Sequence, residues 1–481
     1  MLLTPLQRRN IVFLVLGFAC VVACLALIVG SSPIVILSIG GSAAIAPMSL
    51  GCFFLGMSVI SCTFTHWCFE EYGWKFGLWC GCLLSAVGST LGGVGLWLSS
   101  SVIVLLSNVI LGAGAGISMY LRFASVDVLP QAYASRSVSW TLCGGCLAAF
   151  VGLEIATAVT GAFGDGSLTF LGVFVVNFCF AVAQAVFVGL VAFDKNAVVN
   201  ASEMREKENG DDDAMKIITG EANDDQTGND TDTTTTTLVA LLKRSDFVLP
   251  LLVSILSWTI MVQPKSIFRV AMREVGFTDR QSLTVVEFHF LAMFGPGIFT
   301  GWFIEKFGTV RSSQVAILNF LLGTAINLSA QANNNSTVPW FLGMIFLGVG
   351  WNFGYSGATV WVTKVYAAAP QFKSKIQAAN ESLSFFFLGI LVFSTGYIHN
   401  ACGAGIDGWR CLSYFILGLI AILICVVLLA VKHEKQILKK ANRSSSSISS
   451  GKRASSFEDA RTADGTIDVT VLPVQSQELE L

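Results

Sequence analysis

Twelve long apolar segments constrain this chain more than any other feature of its sequence. Each is about 20 residues long, the length that an α-helix needs to cross the hydrocarbon core of a bilayer. Only 12% of the residues are charged, about half the share found in a soluble domain. The apolar runs are continuous, which is not the alternating pattern of an outer-membrane barrel. The sequence therefore predicts an all-α integral membrane protein that crosses the bilayer many times.

The apolar segments fall into two groups of six. The predicted spans are 11–30, 44–68, 76–97, 102–123, 138–160, 168–192, 247–267, 283–304, 312–331, 339–363, 376–398 and 409–431. We expect an N-terminal half at 1–193 and a C-terminal half at 247–431. Residues 194–246 are rich in Asp, Glu, Asn and Thr, and residues 432–481 are rich in Ser. Neither segment can bury much apolar surface, so a disordered acidic cytoplasmic loop and a disordered cytoplasmic tail are predicted.

Basic residues near the span ends predict the orientation in the membrane. If the N-terminus is inside, most of the Lys and Arg residues that flank spans lie in the cytoplasm, from Arg8 and Arg9 to Lys432. The opposite face then receives chiefly Lys265, Arg269, Arg273, Arg280 and Arg410. This bias favours both termini in the cytoplasm, without indicating which membrane holds the protein.

An internal repeat with a spacing of about 235 residues links the two groups of spans. The sequence WCFEEYGWK at 67–75 follows the second span, and WFIEKFGTVR at 302–311 follows the eighth. FLGM and FLAM, and likewise LGAG and LGVG, keep nearly the same offset. Three matches in register predict a duplication, hence twelve transmembrane helices in two pseudo-symmetric six-helix halves. Such halves hold a site between them and rock around it.

The repeated loops resemble the signature of the major facilitator superfamily, G-x-x-x-D-R-x-G-R-[RK], which lies between helices 2 and 3 and recurs loosely between helices 8 and 9. The second copy here matches at Gly301, Glu305, Lys306, Gly308 and Arg311. The resemblance implies that the acid docks at a neighbouring helix end and latches one conformation. Glu305, Lys306 and Arg311 are therefore candidate latch residues.

The first copy of the signature is degenerate. His66 stands where the leading Gly is expected, and Glu71 stands where Arg is expected. Glu70 keeps the acid and is a further latch candidate.

Three other motifs resemble a prokaryotic-type branch of the same superfamily whose substrates are mostly unassigned. They are R-F-A-x-x-D from Arg122 to Asp127, H-x-L-A-M-F-x-P from His289 to Pro296, and G-W-N at 350–352 followed by K-x-Q-x-x-N-E at 375–381. The resemblance covers about residues 11–431. It implies a fold and a transport function but names no solute.

Ionisable residues inside the spans are candidates for solute binding or coupling, because such groups are costly in a bilayer. Glu154 in the fifth span either is a protonated acid bonded to a neighbouring helix or couples a proton or solute. His289 in the eighth span either packs against one helix neighbour or couples protons, since an imidazole with a pKa of about 6.5 titrates near neutrality. Glu287 lies two residues away, so the two side chains point to different faces and form no pair.

The seventh and tenth spans, which line the cavity in this superfamily, carry further polar candidates. Asn352, with Tyr355 on an adjacent stripe, is either a solute surface or an inter-helix hydrogen bond. Lys265 lies near the outer end of the seventh span, where it either snorkels to the interface or attracts an anion.

Two pairs of polar residues at helix ends are predicted to form a cytoplasmic gate. Arg122 and Asp127 end the fourth span, and Asn380 and Glu381 open the eleventh. Charges at helix ends are partly solvated, which favours a gate over solute ligands.

Motifs for other functions are missing from the sequence. It contains no Walker-type loop for ATP and no His, Asp or Glu cluster with metal or hydrolase spacing. Neither an enzyme activity nor a cofactor nor a metal is expected, and no basic region is suited to nucleic acid. Cys402 and Cys411 flank one predicted outer loop, and whether they pair stays open.

These patterns predict a secondary active transporter of a small organic solute that works by alternating access as a monomer in the bilayer. Protons are a candidate coupling ion. The alternative is a non-transporting membrane sensor or scaffold that keeps the fold, which the degenerate first signature and the acidic loop favour. Few fixed charges and many Phe and Trp residues favour a neutral or amphipathic solute.

Overall fold

The computed structural model describes residues 3–129, 134–193, 238–331, 336–367 and 372–459, and these contain helices but no β-strand. Seven helices precede the acidic segment, and α1 to α7 span Pro5–Ser38, Met48–Ile60, His66–Trp97, Ser101–Ser118, Leu121–Val128, Ala134–Val159 and Leu171–Leu190. Eight follow it, and α8 to α15 span Leu238–Leu242, Ser245–Glu274, Asp279–Phe294, Gly297–Phe307, Thr309–Leu328, Val338–Ala367, Lys373–Ala401 and Gly405–Asp459.

Helical structure lies at each of the twelve predicted spans. Within the described residues, 10 helical segments are both long and apolar enough to cross a membrane. The chain is therefore a multi-pass integral membrane protein. Helices α12 and α13, at the predicted ninth and tenth spans, are not among those 10. Twelve crossings in two six-helix halves thus stay a prediction.

Two helices begin before their apolar runs because a threonine caps them. At α1, Thr4 accepts a hydrogen bond from the backbone of Gln7, whose side chain bonds back to the backbone of Thr4. Thr278 and Gln281 form the same capping box at α10. The T-x-x-Q spacing satisfies helix N–H groups that would otherwise lack partners. These helices therefore start several residues before the predicted spans at 11 and 283.

The two copies of the loop signature share a backbone conformation. Gly73 interrupts α3 with a φ of 77°, and Gly308, between α11 and α12, has a φ of 88°. Glycine adopts this left-handed region without the steric cost that a Cβ imposes. Equivalent backbone at equivalent places in the repeat supports the predicted duplication.

The described residues up to Ile424 form one compact unit, and the described residues from Cys425 onward form a second. Within the first unit, α1 and α9 are the most enclosed of the long helices. The most apolar stretch of each is 67% and 78% buried, whereas that of the segment Gly166–Leu190 is only 39% buried. The first helix of each predicted half is thus central.

Helix α2 of the first predicted half packs along α14 of the second, and this contact joins the two halves. A Cβ added at Gly389 would lie 2.8 Å from Leu55 and 3.0 Å from the carbonyl oxygen of Gly51. The Ser58 hydroxyl donates to the carbonyl of Ser382 at 2.8 Å, and the Ser382 hydroxyl donates to the carbonyl of Ser58 at 3.0 Å. Small residues at this crossing permit the close approach of the two helices.

Helices occupy part of two segments that were predicted to be disordered. The acidic loop was predicted to end at 246, but Leu238–Leu242 is helical, and Leu241 is buried with Val365 and Ile376. Residues 432–459, predicted to be disordered, continue α15. Extending an existing helix avoids the cost of nucleation, so a polar continuation can remain helical. Residues 194–237 and 460–481 lie outside the described part of the chain.

Candidate functional site

A buried ion pair joins the predicted halves at the predicted cytoplasmic end. Arg122 Nη2, on α5, donates a hydrogen bond to Glu381 Oε1, on α14, with 3.0 Å between the two atoms. Arg122 Nη2 also donates to the hydroxyl of Tyr355 at 3.1 Å, and that hydroxyl donates to Glu381 Oε1 at 2.7 Å. All three residues are buried. We call this triad the inner link.

The inner link differs from the predicted pairing within single helix ends. Asp127 accepts a hydrogen bond from Trp74 Nε1 at 2.8 Å and forms no ion pair with Arg122. Positions five apart on a helix differ by about 140°, so the two side chains of α5 point to different neighbours. Asn380 is buried, but its Oδ1 has no hydrogen-bond partner among the described residues. Trp74 follows Gly73, so the Asp127 contact fastens the first signature loop to α5.

Six aromatic rings occupy the space beside the inner link. We call them the aromatic cluster: Phe54, Trp258, Phe294, Trp351, Tyr355 and Phe385. The ring of Trp258 lies 4.8 Å from that of Trp351 and 5.4 Å from that of Phe385. Trp351 stacks on Tyr355 at 5.3 Å with 14° between the ring planes. The cluster draws on helices from both predicted halves.

The indole N–H groups of Trp258 and Trp351 are buried and have no acceptor within the described part of the chain. Buried indole donors usually find an acceptor, because an unpaired one costs free energy. Two unpaired donors on adjacent flat rings can bind a planar molecule that carries its own acceptors.

Lys265 does not snorkel to the interface. Its residue is 5% exposed, its ammonium lies 3.6 Å from the centre of the Phe290 ring, and it lies 3.5 Å from Met293 Sδ. It forms no ion pair within the described residues. The side chain points into the protein, where neighbouring α10 offers it only a ring face and a thioether, which are weak partners for a cation.

His289 is fully buried, and one ring nitrogen, Nδ1, lies 2.6 Å from the carbonyl oxygen of Met344. A carbonyl only accepts, so Nδ1 carries the hydrogen of this bond. The other nitrogen, Nε2, has no partner within the described residues. One bond to a neighbouring helix agrees with the packed interpretation of this histidine, and the free nitrogen leaves a role in coupling open.

Asn352 joins α13 to the broken helix of the eighth span. Its Nδ2 donates to the carbonyl of Met293 at 2.7 Å, and its Oδ1 accepts from Thr300 Oγ1 at 2.5 Å. Pro296 interrupts that helix between Phe294 and Gly297, which exposes backbone groups that need partners. Asn352 therefore forms inter-helix hydrogen bonds in this structure, which is one of its two predicted roles.

Charged residues also join the predicted halves at the opposite, outer end. The Arg280 guanidinium of α10 donates to both carboxylate oxygens of Glu154 on α6, at 2.9 and 2.6 Å. Glu287 Oε1 lies 3.9 Å from Arg280 Nη1 and has no hydrogen-bond partner among the described residues. We call these three residues the outer link. Glu154 thus bonds to a neighbouring helix, as one of its two predicted roles requires, through a bidentate contact with Arg280.

Arg269 adds a second connection at the outer end. Its Nη1 donates to the backbone carbonyl of Gly30 on α1 at 2.5 Å, while Nη2 lies 3.5 Å from Asp279 Oδ1. The arginine is buried, and its partner on α1 is neutral. This bond ties the two central helices together.

The candidate latch residues of the second signature do not reach a neighbouring helix end in this structure. Glu305, Lys306 and Arg311 are exposed and join no ion pair within the described residues. The ammonium of Lys306 lies 5.2 Å from the ring of Trp302. Nothing is described of the side chain of Glu70.

Sequence reasoning missed four residues that take part in these contacts: Trp74, Trp258, Arg269 and Arg280. Trp258, Lys265 and Arg269 are spaced by seven and four residues, so they share a helix face, and that stripe was the available signal. The partners of Trp74 and Arg280 are 53 and 126 residues away in the chain, so no local sequence pattern indicates these contacts.

The structure pairs Cys402 with Cys411 in a disulfide, with 6.2 Å between their Cα atoms. No group of three or more potential metal ligands occurs within the described residues.

Comparisons with known proteins agree with this architecture. No family model matches the chain. The chain is 25% identical to the riboflavin transporter RfnT of Brucella anthropi, over 88% of this chain and 96% of that protein. It is 23% identical to the uncharacterized MFS-type transporter YddS of Bacillus subtilis, over 65% of this chain and 67% of that protein. A D-xylose-proton symporter has a similar structure, with a TM-score of 0.62 and 14% identity, over 87% of this chain and 96% of that chain.

The chain resembles the major facilitator superfamily in sequence and in fold. The match to RfnT covers 88% of this chain, so the resemblance is not confined to one motif. Together with the apolar helices, it indicates a membrane transporter of the major facilitator type.

Proposed function

We propose that the protein is a secondary active transporter that moves a small organic solute across the membrane by alternating access. The observation that carries this proposal is the arrangement of polar contacts between the predicted halves. The inner link lies at one end, the outer link lies at the other, and the aromatic cluster lies between them. An interface with separate links at its two ends can open at one end while the other stays closed.

In the proposed cycle, each link closes one end of the path. Separation of Glu154 from Arg280 opens the outer end while Arg122 stays bound to Glu381. Return of the outer link and loss of the inner link expose the solute to the cytoplasm. This order of steps assumes that both termini lie in the cytoplasm, as the basic residues favour, and that the protein is a monomer.

The aromatic cluster is the proposed solute site. Trp258 and Trp351 offer ring faces for stacking and two unpaired N–H donors. Offset stacking and edge contacts favour planar aromatic partners. Similarity to a protein named a riboflavin transporter supports the same solute class, because riboflavin is a planar ring system with carbonyl acceptors. We therefore propose a solute with a planar ring.

Protons are the proposed coupling ion, and Glu287 is the best-placed group to carry them. This acid is 3% exposed, and its Oε1 lies 3.9 Å from Arg280 without a hydrogen bond. When the outer link opens, Glu154 leaves with α6, whereas Arg280 stays on α10 together with Glu287. Loss of the neighbouring carboxylate favours the ionised form of Glu287, so opening the outer end would promote proton release. His289, with its free Nε2, is the second candidate.

A non-transporting sensor or scaffold is the competing function. The degenerate first signature favours it, and so does the absence of a described ion pair at Glu305. Neither feature explains two buried indole donors without acceptors between the predicted halves. We favour transport because those donors suit a ligand.

Solute uptake by proteoliposomes that contain the purified protein tests the proposal. Counterflow of a radiolabelled planar solute, with riboflavin as the first probe, should exceed that of empty vesicles. Trp258→Ala should abolish it, whereas Trp97→Ala, which removes a side chain 73% exposed on the periphery, should not. Equal counterflow with and without the protein across a broad solute panel would favour the scaffold function.

A further inference from the structure

Lys265 is a buried basic side chain for which the described structure supplies no anion. Its ammonium contacts the face of Phe290 and the sulfur of Met293, and no carboxylate lies within ion-pair distance of it. An unpaired charge in the interior of a membrane protein is costly and usually serves a function. The remaining basic side chains buried in this region, Arg122 and Arg269, both reach a carboxylate.

His289 cannot supply the missing negative charge. It lies close enough to Lys265 for the two groups to interact electrostatically. Because Nδ1 donates to the carbonyl of Met344, a neutral ring leaves only a lone pair at Nε2, and a protonated ring adds a second cation. Neither form neutralises Lys265.

Lys265 lies on the same face of α9 as Trp258 of the aromatic cluster. Trp258 and Lys265 lie seven residues apart on α9, which places them on one face about 10 Å apart along the axis. On the facing helix α10, Met293 contacts Lys265, and the adjacent Phe294 lies 5.9 Å from the ring of Trp351. A molecule stacked on Trp258 and Trp351 can thus extend along α9 to the lysine.

We propose that Lys265 binds an anionic group of the transported solute, which would make the cargo an aromatic acid. Its ring stacks in the aromatic cluster, and its carboxylate or phosphate lies about 10 Å away, beside Phe290 and Met293. The cation holds the anion by a charge-assisted hydrogen bond in an apolar setting, where such bonds are strong. The inference rests on the proposed transport function and specifies its solute class.

Matched pairs of probes test this assignment. Binding to the purified full-length protein in nanodiscs is measured for aromatic acids and their neutral counterparts whose chains are long enough to reach Lys265 from the stacked ring, beginning with riboflavin 5′-phosphate and riboflavin, then 4-(1-pyrenyl)butyrate and 4-(1-pyrenyl)butanol. The parent should bind the acid of at least one pair about tenfold more tightly than its neutral partner. Lys265→Arg should keep that preference, and Lys265→Met should remove it while still binding the neutral partner.

Lys364→Met is the control, because it removes an exposed lysine of the same predicted half and should leave the preference intact. If Lys265→Met does not fold, Lys265→Gln takes its place. Absence of acid preference in every pair would overturn the proposal, and so would a preference that survives the loss of Lys265. Counterflow of a neutral solute without acid preference would leave transport standing and remove only this assignment. Acid binding that depends on Lys265, without counterflow of any probe, would support this assignment and count against the transport function.

Discussion

The inner and outer links use the same chemistry in opposite surroundings. In the inner link, the Arg122 and Glu381 side chains are 8% and 9% exposed and share the hydroxyl of Tyr355. In the outer link, the Arg280 and Glu154 side chains are 51% and 49% exposed. Removing one partner of a buried pair leaves an uncompensated charge, whereas exposed pairs are screened by water and contribute little. The two ends should therefore differ in how easily they open.

This difference predicts a preferred conformation. The inner link should be the more costly to break, so the resting protein should favour closure of the cytoplasmic end and opening of the outer end. Arg269 opposes this preference in part, but its partner across the interface is a neutral carbonyl, and no charge is stranded there when the bond breaks.

The largest expected effect comes from Glu381→Gln. This change leaves Arg122 buried without its carboxylate, which costs about 3–5 kcal/mol in any state that keeps the inner end closed. The inward-open population should rise more than 100-fold, since each 1.4 kcal/mol is a factor of ten. Accessibility of a cysteine label at the cytoplasmic end measures this shift. Asp165→Asn, which removes an exposed carboxylate that caps no helix through its side chain, should have no effect.

Gly389→Ala should act through packing at the crossing of α2 and α14, nearer the middle of the membrane than Glu381. The new Cβ would meet Leu55 at 2.8 Å and the carbonyl of Gly51 at 3.0 Å. Overpacking costs about 1–3 kcal/mol, so states that bring α2 and α14 together should lose population by about tenfold. Gly418→Ala is the matched control, since nothing lies within 4 Å of its added Cβ. Equal label accessibility in both variants would show that this crossing does not change during the cycle.

Glu154→Gln should have a smaller effect at the outer end. Exposed ion pairs are worth little, so we expect the outward-open population to rise less than about fivefold, and less still in high salt. The same label placed at the outer end reports the change. A shift as large as that of Glu381→Gln would show that the two links do not differ in strength.

Removal of residues 200–236 should have the smallest effect. This polar, acidic segment lacks the apolar side chains that a core needs, so insertion, melting temperature and transport should stay near those of the parent. The deletion stops before Leu238 because Leu241 is buried against Val365 and Ile376. A deletion through Leu242 should destabilise the protein, and a similar loss in the shorter deletion would give the acidic segment a structural role.

The sequence predicted the positions of the membrane helices because hydropathy is a local property, and the paired glycines at 73 and 308 follow from the repeat. The T-x-x-Q caps, which start α1 and α10 several residues before their apolar runs, are also local signals but were not used. The helical parts of the polar segments were harder to predict. Helix α15 is already formed when it reaches residue 432, so it extends into residues that would not nucleate one, and Leu241 of α8 is buried by Val365 and Ile376, which lie far from it in the chain.

The contacts of the candidate site were harder to predict. Arg122 and Glu381 were both recognised as helix-end charges, but their partnership joins positions 259 residues apart. Hydropathy located Lys265 near the outer end of its span but could not give the direction of its side chain. Trp258 was overlooked because a tryptophan in an apolar span is common, and only the ring contacts of the folded chain set it apart.

Paired distance measurements test alternating access most directly. Spin labels at Phe76 and Trp302 report on the predicted cytoplasmic end, and labels at Val102 and Val338 report on the outer end, all at exposed positions. Between the parent and Glu381→Gln, the inner distance should increase while the outer distance decreases. Two distances that stay fixed, or that increase together, would contradict alternating access.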